Sequence, residues 1–324
     1  MTWTGLANKY LIALGVVALL AGCAAWLDVA AGKREDRAMQ ETPPQGRFVQ
    51  VNGRQVHALV RGAGPDLVLI HGASGNLRDF TFDLVSRLEG EFRVFAFDRP
   101  GMGWSDPQPG IDDSPLAQAD VLRSAAAQLG AENPVVLGHS YGGAVALGWA
   151  LRARDDTAAL VLLAPASHPW PGDLGLWYRL SDSWIGQRLL IPAVAALAGE
   201  RQARAVVKSI FAPDPMPDGY AAHIGLELAM RSAQLRINAS QVNRLRDHVE
   251  VMAPDYPALS MPIEIVHGTA DTVVGISIHS ERLAAEVASA RLTRLEGVGH
   301  MPHHADPDSV LAAIHRAAAR AGLR

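Results

Sequence analysis

The pentapeptide Gly138-His139-Ser140-Tyr141-Gly142 constrains this chain more than any other feature. The apolar run Pro134-Val135-Val136-Leu137 precedes it, and the helical pattern Ala144-Val145-Ala146-Leu147-Gly148-Trp149-Ala150 follows. Strand, sharp turn and helix succeed one another with no spacer. A serine at the tip of such a turn is held in a strained backbone conformation with its hydroxyl exposed. The flanking glycines let neighbouring backbone approach where a Cβ would clash.

The rest of the chain supplies a sheet for that turn. From residue 67 onward, apolar runs at 67–70, 94–97, 135–137, 159–163, 263–266 and 292–295 alternate with helical patterns at 77–88, 115–129, 141–154, 277–290 and 307–321. Short apolar strands interleaved with helices predict an α/β fold with a mostly parallel central sheet flanked by helices. Ahead of them, Asn52-Gly53 between two alternating runs predicts a tight hairpin. Between Pro165 and Pro262 the alternation stops. That stretch is rich in Trp, Leu, Ala and Arg and reads as helical over 174–180, 184–197, 201–210 and 226–236.

Two further residues follow strand ends, where open α/β sheets place their sites. Asp271 closes Gly268-Thr269-Ala270-Asp271 after the run at 263–266, and His300 closes Gly297-Val298-Gly299-His300 after the run at 292–295. A serine hydroxyl is a poor nucleophile at its own pKa, so a base must take its proton during attack. His300 can do so near neutral pH. Asp271 would fix the imidazole tautomer and stabilise the imidazolium.

On these residues the chain resembles the α/β-hydrolase superfamily, of the serine-nucleophile, capped, esterase- or lipase-like kind. The order Ser140, Asp271, His300 is that of the family's triad. His71-Gly72-Ala73-Ser74-Gly75 is similar to the family's oxyanion loop, and residues 97–105 to its turn after the next strand. The resemblance implies an α/β-hydrolase fold whose segment 165–262 is a helical cap. It implies hydrolysis of a carboxylic ester of a small or hydrophobic substrate through an acyl-enzyme. The backbone N–H groups of Ala73 and Tyr141 would form the oxyanion hole, with Ser74 the alternative to Ala73. Serine stands where similar epoxide hydrolases and haloalkane dehalogenases carry aspartate, which argues against those activities. Thioesterase, amidase, carbon–carbon hydrolase and perhydrolase chemistry use the same apparatus and stay open. A binding or scaffolding module that kept the fold and lost turnover is the contrasting class.

Within 324 residues there is room for one large core and an inserted subdomain. A net charge of −4 without a basic cluster argues against nucleic-acid binding. The single cysteine, Cys23, excludes an internal disulfide. Residues 1–31 read as a signal, lipoprotein or membrane-anchor segment, because 11–27 is nearly all apolar. Leu20-Ala21-Gly22-Cys23 resembles a bacterial lipobox, which would make Cys23 a lipidation site. Residues 32–46 read as a polar linker, and 47–324 as the hydrolase domain. The expected setting is a membrane, on the periplasmic side. The basic residues after the apolar run keep a cytoplasmic-facing domain open. No cofactor is expected, and the oligomeric state is not fixed.

Several side chains carry two readings. Trp170, Trp177, Tyr178, Trp184 and Met230 either line an apolar pocket or pack the cap. Against a mostly apolar pocket stands the alternative that Arg179, Arg188 and Arg231 enter it and bind an acidic group. Asp98, His57 and His267 read as structural. His303 and His304 suit a helix-start role or hydrogen bonding behind the site, because Gly299-His300 ends the loop, and as a metal pair they lack a defined third ligand.

Overall fold

A computed structural model describes residues 3–110 and 113–324, with side chains from Leu14 onward except at 16, 17 and 20. Among the described residues, eight strands form one sheet in the order β1-β2-β4-β3-β5-β6-β7-β8. They are β1 Arg47–Val51, β2 Arg54–Arg61, β3 Asp66–Ile70, β4 Arg93–Phe97, β5 Val135–His139, β6 Ala159–Leu163, β7 Ile263–Gly268 and β8 Ala290–Leu295. The β1–β2 hairpin turns on Asn52-Gly53, pairing Val51 with Arg54. β2 runs antiparallel to β4, and from β4 to β8 every pairing is parallel.

Side-chain alternation sorts each strand between two cores. Val68, Ile70, Val136, Leu160 and Leu162 join the core under α4 (Pro115–Gln128), α5 (Tyr141–Arg152) and the cap. Leu67, Leu69, Val135, Leu137, Val161 and Leu163 join the other. That second core is closed by α2 (Arg78–Thr81), α3 (Leu84–Leu88) and α14 (Pro307–Arg320). Two helical segments are shorter than the periodicity predicts. Residues 77–88 break between α2 and α3, and 277–290 shrinks to α12, Ser280–Glu286.

The cap occupies the space between β6 and β7. It comprises α6 (Leu176–Ser181), a π-helical turn (Gly186–Leu190), α7 (Ile191–Leu197), α8 (Glu200–Phe211), α9 (Tyr220–His223), α10 (Leu226–Ala229) and α11 (Ser232–Met252). The expected helix at 226–236 is instead broken at Arg231, and α11 runs on to Met252. Its buried face carries Gln234, Asn238 and Gln241 among Ala239, Val242, Leu245 and Val249, so apolar periodicity understates its length.

The N-terminal helix α1 spans Trp3–Glu41. Up to Glu41 the expected linker at 32–46 is therefore helical. The reason is docking on the cap: Ala31 and Ala38 are buried, and α1 packs on α7 and α10. Arg34 donates to the carbonyls of Ala196 and Ala198 at 3.2 and 2.7 Å and pairs with Glu227. Those carbonyls end α7 and have no partner within the helix. Six of the seventeen side chains of the apolar run at 11–27 lie outside the described residues. Among the described residues, no helix is long and apolar enough to cross a membrane.

Candidate active site

β5 ends at His139 and α5 begins at Tyr141, so Ser140 makes the turn alone, at φ 54° and ψ −119°. An L-residue is strained there. Packing leaves no relaxed alternative. A Cβ on Gly138 would overlap the Gly142 carbonyl, and one on Gly142 would overlap that of Ile70. The Ser140 N–H donates to the Leu163 carbonyl at 2.9 Å, pinning the turn to β6.

The three residues separated in sequence meet here. His300 Nε2 lies 2.9 Å from Ser140 Oγ, and His300 Nδ1 lies 2.7 Å from Asp271 Oδ2. The carboxylate takes the Nδ1 proton as its hydrogen bond, so Nε2 offers a lone pair to the serine hydroxyl. Asp271 is held from four directions. Oδ2 also accepts from His267 Nε2 at 3.0 Å, and Oδ1 accepts from the N–H groups of Val273 and Val274 at 2.7 and 2.9 Å. Burial opposes its ionisation, but the bonds from His267, His300 and Val274 outweigh that and hold its pKa far below the ordinary carboxylate range. His267 lies in β7 as expected, yet it also braces the catalytic acid, with Ser280 Oγ donating to its Nδ1 at 2.6 Å.

Asp98 is structural, as its sequence context suggests. It binds His57 Nδ1 at 2.7 Å and accepts from the N–H groups of Leu77 and Trp104 at 2.7 and 2.8 Å. His303 and His304 converge on Asp79, at 3.1 and 2.8 Å, and Tyr220 of the cap donates to the same carboxylate at 2.7 Å. Burial disfavours the Asp79 charge, but the two histidines outweigh it and lower its pKa. His139 joins this group by donating from Nε2 to the His300 carbonyl at 2.9 Å. Asp79, His139 and His303 bring potential metal-ligand atoms within 4.8 Å of one another, the one such group among the described residues. The three donors on Asp79 already account for its charge without a cation.

Above Ser140 lies a cavity of about 490 Å³. Ala73 and Tyr141 line it, with Trp170, Leu174, Tyr178 and Ile278 among the apolar walls. Of the aromatic candidates, Trp170 and Tyr178 thus reach the pocket. Trp177 and Trp184 are surface residues, Trp184 being 75% exposed. Met230 packs inside the cap against Ala203, Ala221 and Leu226. The cap arginines stay outside the cavity lining. Arg179 sits 3.7 Å from Asp173, and Arg231 donates to the carbonyls of Gly103 and Leu228.

One buried cation supports the loop opposite Ser140. Arg99 is fully buried, and its guanidinium donates to the carbonyls of His71 and Gly72, both at 3.0 Å, and to Gln118 and Gln241. Burial lowers its pKa to about 10, so it stays charged at neutral pH. His71 Nδ1 also donates to the Gly72 carbonyl, at 2.8 Å, while its Nε2 accepts from the Arg99 N–H. The carbonyl of the Gly72–Ala73 peptide thus accepts from Arg99, His71 and, at 3.4 Å, the Gly75 N–H. Its N–H end, that of Ala73, has no hydrogen-bond partner among the described residues. The neighbouring Ser74 N–H is committed to Asn238 Oδ1 of the cap at 2.7 Å.

A strained serine, a correctly tautomerised histidine and a buried carboxylate at the carboxyl ends of a parallel sheet define a serine hydrolase. The chain belongs to the alpha/beta hydrolase family, which it matches over residues 67–313. It is 28% identical to an uncharacterised protein of Mycobacterium tuberculosis, over 88% of this chain and 84% of that one. It is 27% identical to the pimeloyl-[acyl-carrier protein] methyl ester esterase of Vibrio vulnificus, over 78% and 94% of the two chains. A bacterial membrane phospholipase A superposes with a TM-score of 0.66 at 21% identity, covering 98% of this chain and 99% of that one.

Proposed function

We propose that the enzyme hydrolyses carboxylic esters of hydrophobic acids or alcohols at a membrane surface. The contact from His300 to Ser140 at 2.9 Å, under an apolar cavity, carries the reading. Ser140 Oγ attacks the ester carbonyl as His300 Nε2 takes its proton. The oxyanion rests on the N–H groups of Ala73 and Tyr141. Three observations support that pair. Both residues line the cavity beside Ser140, Ser74 is otherwise engaged, and Tyr141 opens α5, whose N-terminus favours negative charge. Arg99 and His71 polarise the Gly72–Ala73 peptide from its carbonyl end and so strengthen the Ala73 donor. His300 then protonates the leaving alkoxide, and water attacks the acyl-enzyme with His300 again as base. The esterase activity in the name of the Vibrio relative favours an ester over a thioester, amide or carbon–carbon bond.

Support for the membrane setting comes from the apolar run at 11–27, continuous with the part of α1 docked on the cap. The cap itself exposes Leu176, Trp177, Leu180, Trp184, Ile185 and Leu189. An apolar surface of this kind marks an interaction site. The phospholipase named above shares nearly the full chain length, α1 included. Attachment is by lipid on Cys23 or by an uncleaved helix. Intact mass of the membrane-extracted protein separates the two: a chain starting at diacylated Cys23, or one retaining Met1. For the chemistry, an organophosphonate should label Ser140, and Ser140→Ala should abolish labelling in a protein of unchanged circular dichroism. Labelling at another serine would overturn the assignment.

A further inference from the structure

His279, which the sequence gives no role, lines the same cavity as Ser140. It precedes α12 and is 3% exposed. Its Nδ1 receives two backbone donors, the N–H groups of Ser167 and His168, each at 3.1 Å. A ring nitrogen that accepts two hydrogen bonds carries no proton, so the proton of the neutral ring sits on Nε2. Burial, with His168 and His267 close by, lowers the pKa to about 3, so the ring is neutral at working pH. Among the described residues Nε2 has no hydrogen-bond partner, and it is not sealed away from accessible space. The backbone of residues 167–168 thus fixes one tautomer and leaves its Nε2–H without a partner among the described residues, on a side chain that lines the same cavity as Ser140. Around it the wall is apolar, including Trp170, whose ring lies 6.0 Å from the imidazole.

We infer that His279 is a specificity-determining residue whose Nε2–H donates to an oxygen of the substrate away from the scissile carbonyl. This rests on the ester-hydrolase reading above. The acceptor is an uncharged oxygen, because the lining includes Asp173 and no basic side chain other than the neutral His279. The substrate class is therefore an ester with a second ester or ether oxygen, and not a plain hydrocarbon ester. A site built to hydrogen-bond such an oxygen discriminates against the analogue that lacks it.

The test compares two activated esters of matched chain length, p-nitrophenyl methyl adipate and p-nitrophenyl octanoate. The ratio of their kcat/KM values is corrected for their alkaline hydrolysis rates. The full chain should favour the diester roughly threefold to tenfold. His279→Asn keeps an acceptor near the Nδ1 position for the two backbone N–H groups and deletes the pocket donor. In that variant the ratio should fall to about one, mainly through a higher KM for the diester. An unbiased ratio in the natural chain, or equal losses on both esters in the variant, overturns the inference. If the variant does not fold, imidazole 15N spectra of the natural protein decide. The Nε2 resonance should shift with a diester phosphonate on Ser140 and not with an alkyl one, and identical spectra reject the assignment. Failure of either phosphonate to label Ser140 would reject the hydrolase reading as well, whereas labelling without discrimination rejects this inference alone.

Discussion

The sheet side and the cap side of the cavity are built on different physics. On the sheet side, β3, β5, β6 and β7 are buried throughout, and Ser140, Asp271 and His300 follow the ends of β5, β7 and β8. Each catalytic group is held by several hydrogen bonds. On the cap side, the helices are interrupted at residues 182–183, Gly199, Gly219, Gly225 and Arg231, and large apolar side chains face outward. The two sides meet through polar bonds. Asn238 holds the Ser74 N–H, Gln241 holds Arg99, and Tyr220 holds Asp79. The contrast places the chemistry in a rigid frame and much of the cavity's apolar wall in the cap, tied to that frame by these three bonds.

The sharpest test of that division is catalytic. Ser140→Ala should lower kcat on the order of a millionfold, with little change in KM for a soluble ester. Asp271→Asn should cost about 10⁴-fold, since it permits the wrong His300 tautomer. A modest loss in either variant would mean that the frame does not carry the chemistry. Stability should divide the same way. Leu69→Ala in β3, fully buried, should cost about 3 kcal/mol in urea unfolding. Leu180→Ala in α6 should stay within about 0.5 kcal/mol. Similar losses at both positions would break the comparison.

Acid should undermine the sheet side by charging buried rings. Burial, with Arg99 beside it, lowers His71 from 6.5 to about 4. Burial likewise lowers His279 from 6.5 to about 3. Above pH 6.5 these rings are neutral folded or unfolded and add no pH dependence. Below it the unfolded chain binds protons that the folded chain refuses, so stability falls as pH falls. Each ring contributes a slope approaching about 1.4 kcal/mol per pH unit, ending near its folded pKa. The depressed carboxylates of Asp79, Asp98 and Asp271 act lower still, losing their stabilisation as pH drops below the ordinary carboxylate range. Urea midpoints from pH 7.5 to 4.5 measure the slope. A flat profile to pH 5 would show that these histidines reach solvent.

The sequence is legible where one residue type in one context has one chemical use. The strand–turn–helix around Ser140 requires its glycines, and the acid and base each follow an apolar run, so the triad and sheet are readable directly. The buried face of α11 is not, because Gln234, Asn238 and Gln241 occupy it for their hydrogen bonds. The docked end of α1 is polar in composition, and the burial of Ala31 and Ala38 with Arg34 against the end of α7 reveals that it packs. His303 and His304 invite a partner, but Asp79 lies more than 220 positions away in α2, where no spacing marks it. The role of His279 depends on two backbone N–H groups from residues 167–168, which no spacing encodes.

The smallest expected effect tests the outer face of the cap. Trp177 and Trp184 are 43% and 75% exposed, beside Leu180 and Ile185. Neither indole supports the core, so replacing both with Asp should leave the unfolding midpoint nearly unchanged. If that face rests on lipid, two charges would oppose its seating, while α1 keeps the protein attached. Turnover of an ester embedded in phospholipid vesicles should then fall about threefold to tenfold relative to a water-soluble ester, each seated aromatic contributing on the order of 1 kcal/mol. The ratio of the two rates is the measurement, because it cancels general damage to the active site. An unchanged ratio would show that α1 alone sets the approach to the membrane and that the apolar face of the cap meets something other than lipid.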